Sequence, residues 1–505
     1  MDPTIAEERL AAGEFTTDPL RASAAARPRK TAVVELTTGR RLGYGELDDL
    51  ADRAAAWLTA RLGAGERVAF VGRNGIALLV LALGAERCGA IFVPLNWRLA
   101  VPEIAALVSD CAPLLIVADP EFAAAVPAAV TVADAMAQIA TRTPASPQVL
   151  DQNRPIILLY TSGTTGQPRG VVVTAANADA AALNFSLVGE VDAASVALTD
   201  LPMFHTIGLI AVARTTLMRG GALVLADRFV PARTLATLGD AAFGITHYFA
   251  VPVMAEALER DPAFDPKSLS RLHAIFVGGA PLAPALIERF LGHGVALVNG
   301  YGMSEAGTVM HMPIDRDAVR RSAGAVGLPA PHLAVRLVRD GQDVVEGDVG
   351  EVWLRGPSVT PGYWRRPEET AAAFSDGWYR TGDLAQRASD GVYRIVDRLK
   401  DMYVSGGENV YPAEVEAALA AHPGVADAAV VGAPDPRWGE SGVAFIVPRA
   451  GTTFDAAAIA AHCAARLAKY KCPSRLVAID AIPRSAAGKI LKPVLRARLN
   501  AGEFE

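Results

Sequence analysis

The sequence predicts an α/β fold with largely parallel sheets, then a β-rich stretch, then a smaller α+β unit. Three observations carry this. Short apolar runs alternate with helical patterns as far as about residue 300, the runs shorten and fill with glycine between about 330 and 400, and a new helix–strand alternation occupies roughly the last 100 residues. A chain of 505 residues has room for two to four domains and a large core.

Leu47, Leu50, Ala54, Trp57, Leu58 and Leu62 recur at helical spacing with Asp48, Asp49, Asp52 and Arg53 between them, which predicts an amphipathic helix over 45–62. Arg67–Val71 reads as a strand stopped at Gly72, and an apolar helix starts at Ile76. Ile76–Gly84 is too short to span a bilayer and is followed by Glu86 and Arg87, so it reads as buried helix. Strands are expected at Ala90–Pro94, Leu114–Val117, Ile156–Leu159, Ala222–Leu225, Leu272–Val277 and Val295–Val298, with the Ala/Pro-rich segment 123–150 as an irregular connection. Ala334–Val338, Gly350–Leu354 and Gly391–Val396 suggest a small barrel-like β unit. Pro412 opens a helix through Leu419; strands at Ala428–Val431 and Val443–Val447, a helix over Ala456–Leu467 and a strand at Leu476–Ile479 complete the final unit. The polar segment Asp397–Asp401 marks its boundary.

The composition, 51% hydrophobic and 20% charged, is that of a globular protein. A net charge of −6 without a long basic run argues against a nucleic-acid partner. Cys88, Cys111, Cys463 and Cys472 are scattered without metal-like pairing and read as reduced thiols. Asp2, Glu7 and Glu8 stand where a secretory signal would be basic, and no transmembrane segment is expected, so the expected location is cytoplasmic.

The chemistry gathers first in segment 160–170. Thr161, Ser162, Thr164 and Thr165 supply hydroxyls, Gly163 and Gly166 free the backbone N–H groups, and Arg169 supplies a cation, a set suited to a polyphosphate. A polar surface turn is the competing reading. The segment lacks Gly-x-x-x-x-Gly-Lys-Ser/Thr, which excludes a P-loop kinase.

Four further segments accompany it in order: Asn299–Gly307, Tyr379–Asp383, Asp397–Pro412 and Pro483–Lys489. Together these motifs resemble the adenylate-forming superfamily, which includes acyl-CoA synthetases, aryl-CoA ligases, peptide-synthetase adenylation domains and firefly luciferase. The likeness runs from about residue 25 to 496, and the chain resembles bacterial fatty-acyl-CoA and feruloyl-type ligases especially at Ser405–Pro412 and Pro434–Glu440. It implies a large N-terminal AMP-binding domain over 1–397, made of two α/β subdomains and a β-barrel-like subdomain at about 330–397. It also implies a small mobile α+β domain over 398–505, with its hinge at Lys400.

The same resemblance implies the roles. ATP, Mg²⁺ and coenzyme A are the expected cofactors and co-substrates, and a small carboxylic acid the partner; a homodimer is compatible with the sequence. Thr161, Ser162, Gly163, Thr164, Thr165, Gly166 and Arg169 would hold the β/γ-phosphates, with arginine where the family more often has lysine. Glu305 would bind Mg²⁺, joined by Thr161, and Ser304 would meet the α-phosphate where threonine is more usual. Tyr301 would stack on adenine, with Gly279, Ala280, Pro281, Asn299, Gly300 and Gly302 around the nucleotide. Asp383 and Arg398 would hold the ribose, and Lys489 would offset charge during adenylation. Rotation about Lys400 would withdraw Lys489 and bring Gly406 and Gly407 to the thiol tunnel. His205 would gate the acid, with Val251, Pro252, Gly278, Gly279, Gly302, Met303 and Thr308 lining an apolar pocket. Arg214 could read a second carboxylate, but its place after the apolar run Gly208–Val212 favours a surface or structural ion pair, and His247 and His311 read as ordinary polar residues without zinc-like spacing.

The leading expectation is an ATP-dependent carboxylic acid:CoA ligase for a fatty or aryl/aryl-propenoic acid. A stand-alone adenylation enzyme that loads a carrier-protein phosphopantetheine is the nearest alternative, and a catalytically silent nucleotide-binding scaffold is the alternative of another class.

Overall fold

A computed structural model describes residues 18–146, 148, 150–161, 168–484 and 489–504. The chain packs into two compact units, Met1–Ala334 with Arg355–Tyr379, and Val335–Leu354 with Arg380–Glu505. Most of the β-rich stretch therefore groups with the C-terminal residues, and Lys400 lies inside the second unit.

The first unit is built on two sheets. In the six-stranded one the order is Val130–Thr131, Leu115–Ala118, Arg67–Val71, Ile91–Leu95, Pro155–Thr161 and Arg169–Thr174. All its pairs are parallel except the last, where Thr161 stands opposite Arg169. The expected phosphate loop thus joins two antiparallel neighbours, and residues 162–167 lie outside the described structure. In the nine-stranded sheet, Leu297–Met303, Ala274–Val277, His247–Ala250, Val196–Thr199, Ala222–Leu225 and Thr31–Glu35 run parallel. Antiparallel strands close both of its edges.

The periodic helix forms over Tyr44–Thr59, with Leu47, Ala54, Trp57 and Leu58 buried. Ile76–Cys88 is buried on several faces at once, at Leu78, Leu79, Val80 and Leu81, which explains its unbroken apolar run. Among the described residues no helix is long and apolar enough to cross a membrane. Segment 123–150 departs from expectation: it carries a short strand, Val130–Thr131, and a helix, Val132–Ala140. Thr131 caps that helix, its hydroxyl accepting from the Asp134 N–H, and Ala135 and Ile139 bury its inner face.

In the second unit Gln342–Asp343, Ala334–Arg339, Val349–Arg355, Trp378–Arg387 and Tyr393–Arg398 follow one another across an open half-barrel sheet. A separate sheet has the order Glu408–Val410, Tyr403–Ser405, Gly439–Pro448, Val425–Asp435, with Arg475–Ala478 parallel to Gly439–Pro448. Period-two alternation gives it two apolar faces. Ala428 and Val430 pack with Val415, Leu419 and Ile459 on one side, while Ala429 and Val431 pack with Ile482 and Leu495 on the other. The helix expected over Ala456–Leu467 stops at Ala464.

Gly84 tests the helix packing of the first unit. A Cβ there would stand 2.5 Å from the Ala54 Cβ and 3.0 Å from its carbonyl carbon. Helix propensity favours Gly84→Ala by about 1 kcal/mol, whereas overpacking a tight contact costs about 1–3 kcal/mol. The contact wins, so Gly84→Ala should lower the thermal midpoint by a few degrees; a raised midpoint would show that the two helices part freely.

Candidate functional site

The last strand of the parallel series, Leu297–Met303, runs longer than expected and turns back at Ser304 into Gly307–His311. Gly300, Tyr301 and Gly302 lie beyond the strand expected at Val295–Val298, yet they pair with that returning strand. The turn places Ser304 and Glu305 on a small cavity of about 220 Å³, shared with Asn177, Ser358 and Thr360. Beside it is a cleft of about 410 Å³ lined by Gly278, Gly279, Gly302, Met303 and Thr308, all expected acid-pocket positions. Thr206 and Gly307 border both spaces.

Segment 360–364 builds the wall. The Thr360 N–H donates to the Glu305 carbonyl at 2.7 Å, and its hydroxyl donates to the Val172 carbonyl at 2.6 Å. Tyr363 then points its phenol at the Glu305 Oε1, 3.2 Å away, and its oxygen is 3.0 Å from that of Tyr379. Burial and the Glu305 charge push the Tyr363 phenol up to about 12, so it remains protonated. Arg169 pairs with Glu369 and lies over the Tyr363 ring at 5.5 Å. Tyr363 was not among the expected site residues. Its signal is the Pro361-Gly362 turn followed by two aromatic residues, Tyr363 and Trp364.

Gly279 adopts φ +84° in the turn after Ala274–Val277, with Ala280 and Pro281 beyond it. The Val251 side chain would lie 3.6 Å from a Cβ at Gly279, as would Ile207 of the cleft. The Asn299 amide donates to the Ala325 carbonyl at 2.8 Å and thereby fixes the strand itself. His205 packs on Phe204 at 4.6 Å, just before the π-helix Ile207–Arg214. Arg214 forks onto Glu86 at 2.8 Å and reaches Asp179, the structural ion pair expected of it.

In the second unit Asp383 and Arg398 are cross-strand partners, and the Arg398 Nε is 2.9 Å from the Asp383 carboxylate. Gly406 and Gly407 form the turn between Tyr403–Ser405 and Glu408–Val410, at φ +62° and +85°. A Cβ at Gly406 would stand 2.7 Å from the Trp438 ring, whereas Gly407 faces open space. Lys489 is exposed; Arg484 bridges to Ile490 and the Leu491 N–H donates to the Pro483 carbonyl, while residues 485–488 of the expected motif lie outside the described structure.

Two family models match the sequence: AMP-binding enzyme over residues 20–364, and AMP-binding enzyme C-terminal domain over 414–489. The chain belongs to the AMP-binding enzyme family. It is 38% identical over 483 residues to a feruloyl-CoA synthase of Amycolatopsis sp, covering 93% of this chain and 96% of that one. It is 36% identical to the long-chain-fatty-acid–CoA ligase FadD13 of Mycobacterium tuberculosis, with 95% and 98% covered. Among solved structures, ATP-bound MatB from Rhodopseudomonas palustris superposes with a TM-score of 0.89 at 30% identity, covering 96% and 99%. The enzyme is an AMP-forming acid–thiol ligase.

Two histidines of the enzyme are held neutral. His247 accepts from Thr246 at one ring nitrogen (2.7 Å) and donates to the Gly189 carbonyl at the other (2.9 Å). Burial lowers it from 6.5 to about 4, and likewise His311. Between these values the unfolded chain binds more protons than the folded one, so stability falls as pH drops from 6.5 towards 4. His247→Gln should remove a part of that fall on the order of 3 kcal/mol. Denaturant titrations at pH 7 and pH 4.5 read it; an identical pH dependence in the two proteins would contradict the assignment.

Proposed function

We propose that the enzyme is an ATP-dependent carboxylic acid:CoA ligase acting on a fatty or aryl/aryl-propenoic acid. The observation that carries this is the junction at Thr206 and Gly307, where an apolar cleft adjoins the cavity of Ser304 and Glu305. An apolar acid seated in the cleft would present its carboxylate to a nucleotide held at those polar groups. A carboxylate oxygen attacks the α-phosphorus, the bond to pyrophosphate breaks, and acyl-AMP forms. The CoA thiol then gives up its proton as sulfur attacks the acyl carbon, and the carbon–oxygen bond to AMP breaks.

Glu305 would be the Mg²⁺ ligand, since a single carboxylate oriented by a phenol suits an ion that takes its remaining ligands from phosphates and water. Bound there, Mg²⁺ would neutralise developing phosphate charge. Ser304, Tyr301 and the Gly279–Pro281 turn would place the nucleotide. Thr161, Arg169 and the segment between them would grip the phosphates at the pyrophosphate end. Asp383, with Arg398 fixed at 2.9 Å, would take the ribose hydroxyls. Lys489 would offset charge in the first half-reaction, and Gly406 and Gly407 would admit the pantetheine arm in the second, after a turn about Lys400. The relatives named for feruloyl and long-chain-fatty-acid substrates support both acid classes.

Acid-dependent pyrophosphate release and thioester formation, measured over C2–C18 fatty, aromatic and dicarboxylic acids, test the proposal. Thioester with free CoA is expected; product only with a holo carrier protein would overturn the CoA assignment. Lys489→Ala should lower acyl-AMP formation at least about a hundredfold while sparing thioester formation from supplied acyl-AMP, and equal loss of both steps would contradict its role. Tyr363→Phe should raise the Mg²⁺ concentration for half-maximal rate about tenfold, the scale for losing a partner that orients a metal ligand. An unchanged Mg²⁺ dependence would separate the phenol from the metal site.

A further inference from the structure

We infer that His311 is a specificity-determining residue, its Nε2 accepting a hydrogen bond from a hydroxyl on the aryl body of the acid, away from the carboxylate. The inference rests on the acid:CoA ligase reading above and narrows its substrate.

Strand pairing puts His311 opposite Gly300, and the ring lies in the space that a side chain there would fill. A Cβ on Gly300 would sit 3.0 Å from the His311 Cδ2 and 3.8 Å from Nε2, so this ring edge faces the glycine wall of the cleft. Both residues line that cleft. Nδ1 donates to the Met312 carbonyl at 2.6 Å, which fixes the proton on Nδ1 and leaves the lone pair on Nε2. That nitrogen is buried and has no partner among the described residues. Phe276 and Phe185 pack on the ring with centroids 5.4 and 6.2 Å away and offer no N–H or O–H donor.

A buried acceptor without a donor is unfavourable, and an aliphatic side chain would line an apolar cleft without that penalty. Because burial keeps the imidazole neutral down to about 4, it faces the cleft as an acceptor and not as a cation for a second carboxylate. Ile207, Ala211, Phe249 and Met303 give the same cleft an apolar lining that suits an aromatic body. A hydroxylated aryl or aryl-propenoic acid supplies both the ring and the missing donor. An unsubstituted acid leaves Nε2 unpaired.

The test compares kcat/KM for CoA-thioester formation on matched pairs, benzoic and cinnamic acids against their 2-, 3- and 4-hydroxy forms, in the full-length enzyme. One hydroxylated isomer should exceed its parent by at least about tenfold, and His311→Leu should bring that ratio to within about threefold. Equal use of parent and hydroxylated acids by the wild type, or an unchanged ratio in His311→Leu, would overturn the inference. If His311→Leu does not fold, ¹⁵N spectra of the histidine-labelled wild type decide. The preferred hydroxy acid should shift the Nε2 resonance towards the hydrogen-bonded position and its parent should not; no shift would overturn the inference. Failure of every acid, fatty acids included, to give thioester would overturn the ligase reading and this inference with it.

Discussion

Thr360 joins the two sheets of the larger unit beside Ser304 and Glu305. Its N–H holds the carbonyl of Glu305, at the end of one sheet, and its hydroxyl holds the carbonyl of Val172, in the other. The side chain is almost fully buried, so neither bond competes with water. Each such bond contributes only about 1 kcal/mol net, but losing a buried partner costs more than the bond returns. Its importance is positional: it fixes how far Glu305 stands from the strand Arg169–Thr174. Tyr363, three residues on, can orient the Glu305 carboxylate because that distance is set.

Around this clamp the unit separates two environments. Glycines at 278, 279, 300 and 302 remove side chains from one wall, so an apolar cleft can lie against backbone. The positive φ of Gly279 lets the chain turn there without a Cβ strain. Polar groups collect instead at the Ser304–Glu305 turn, with Thr206 and Gly307 between the two spaces. The smaller unit is organised differently: a two-faced sheet carries the Lys489 segment and the Gly406-Gly407 turn on its connections.

Much of this was legible in the sequence because it depends on local pattern. Arg67–Val71 and Ala222–Leu225 form strands where their apolar runs end, and the Ala428–Val431 alternation sorts side chains to two faces. Expected acid-pocket positions such as Gly278, Met303 and Thr308 do share one cleft. The illegible features depend on partners distant in the chain. Gly300-Tyr301-Gly302 is strand only because Gly307–His311 returns beside it. His311 carries no signal of its own; its register opposite Gly300 brings the ring to the cleft. Tyr363 meets Glu305 only through the placement of Thr360, and the π-helix Ile207–Arg214 has no pattern that separates it from an α-helix. The two compact units follow three-dimensional packing, which a local pattern does not carry.

We propose that a carboxylate oxygen of the acid attacks the α-phosphorus of ATP. An acid labelled with ¹⁸O in both carboxylate oxygens, turned over with ATP and CoA, tests this directly by mass spectrometry of the nucleotide and phosphate products. One ¹⁸O atom should be found in each AMP formed, because the attacking oxygen stays on phosphorus when sulfur displaces it from carbon. Label in inorganic phosphate with ADP as the nucleotide product, or AMP free of label, would contradict it.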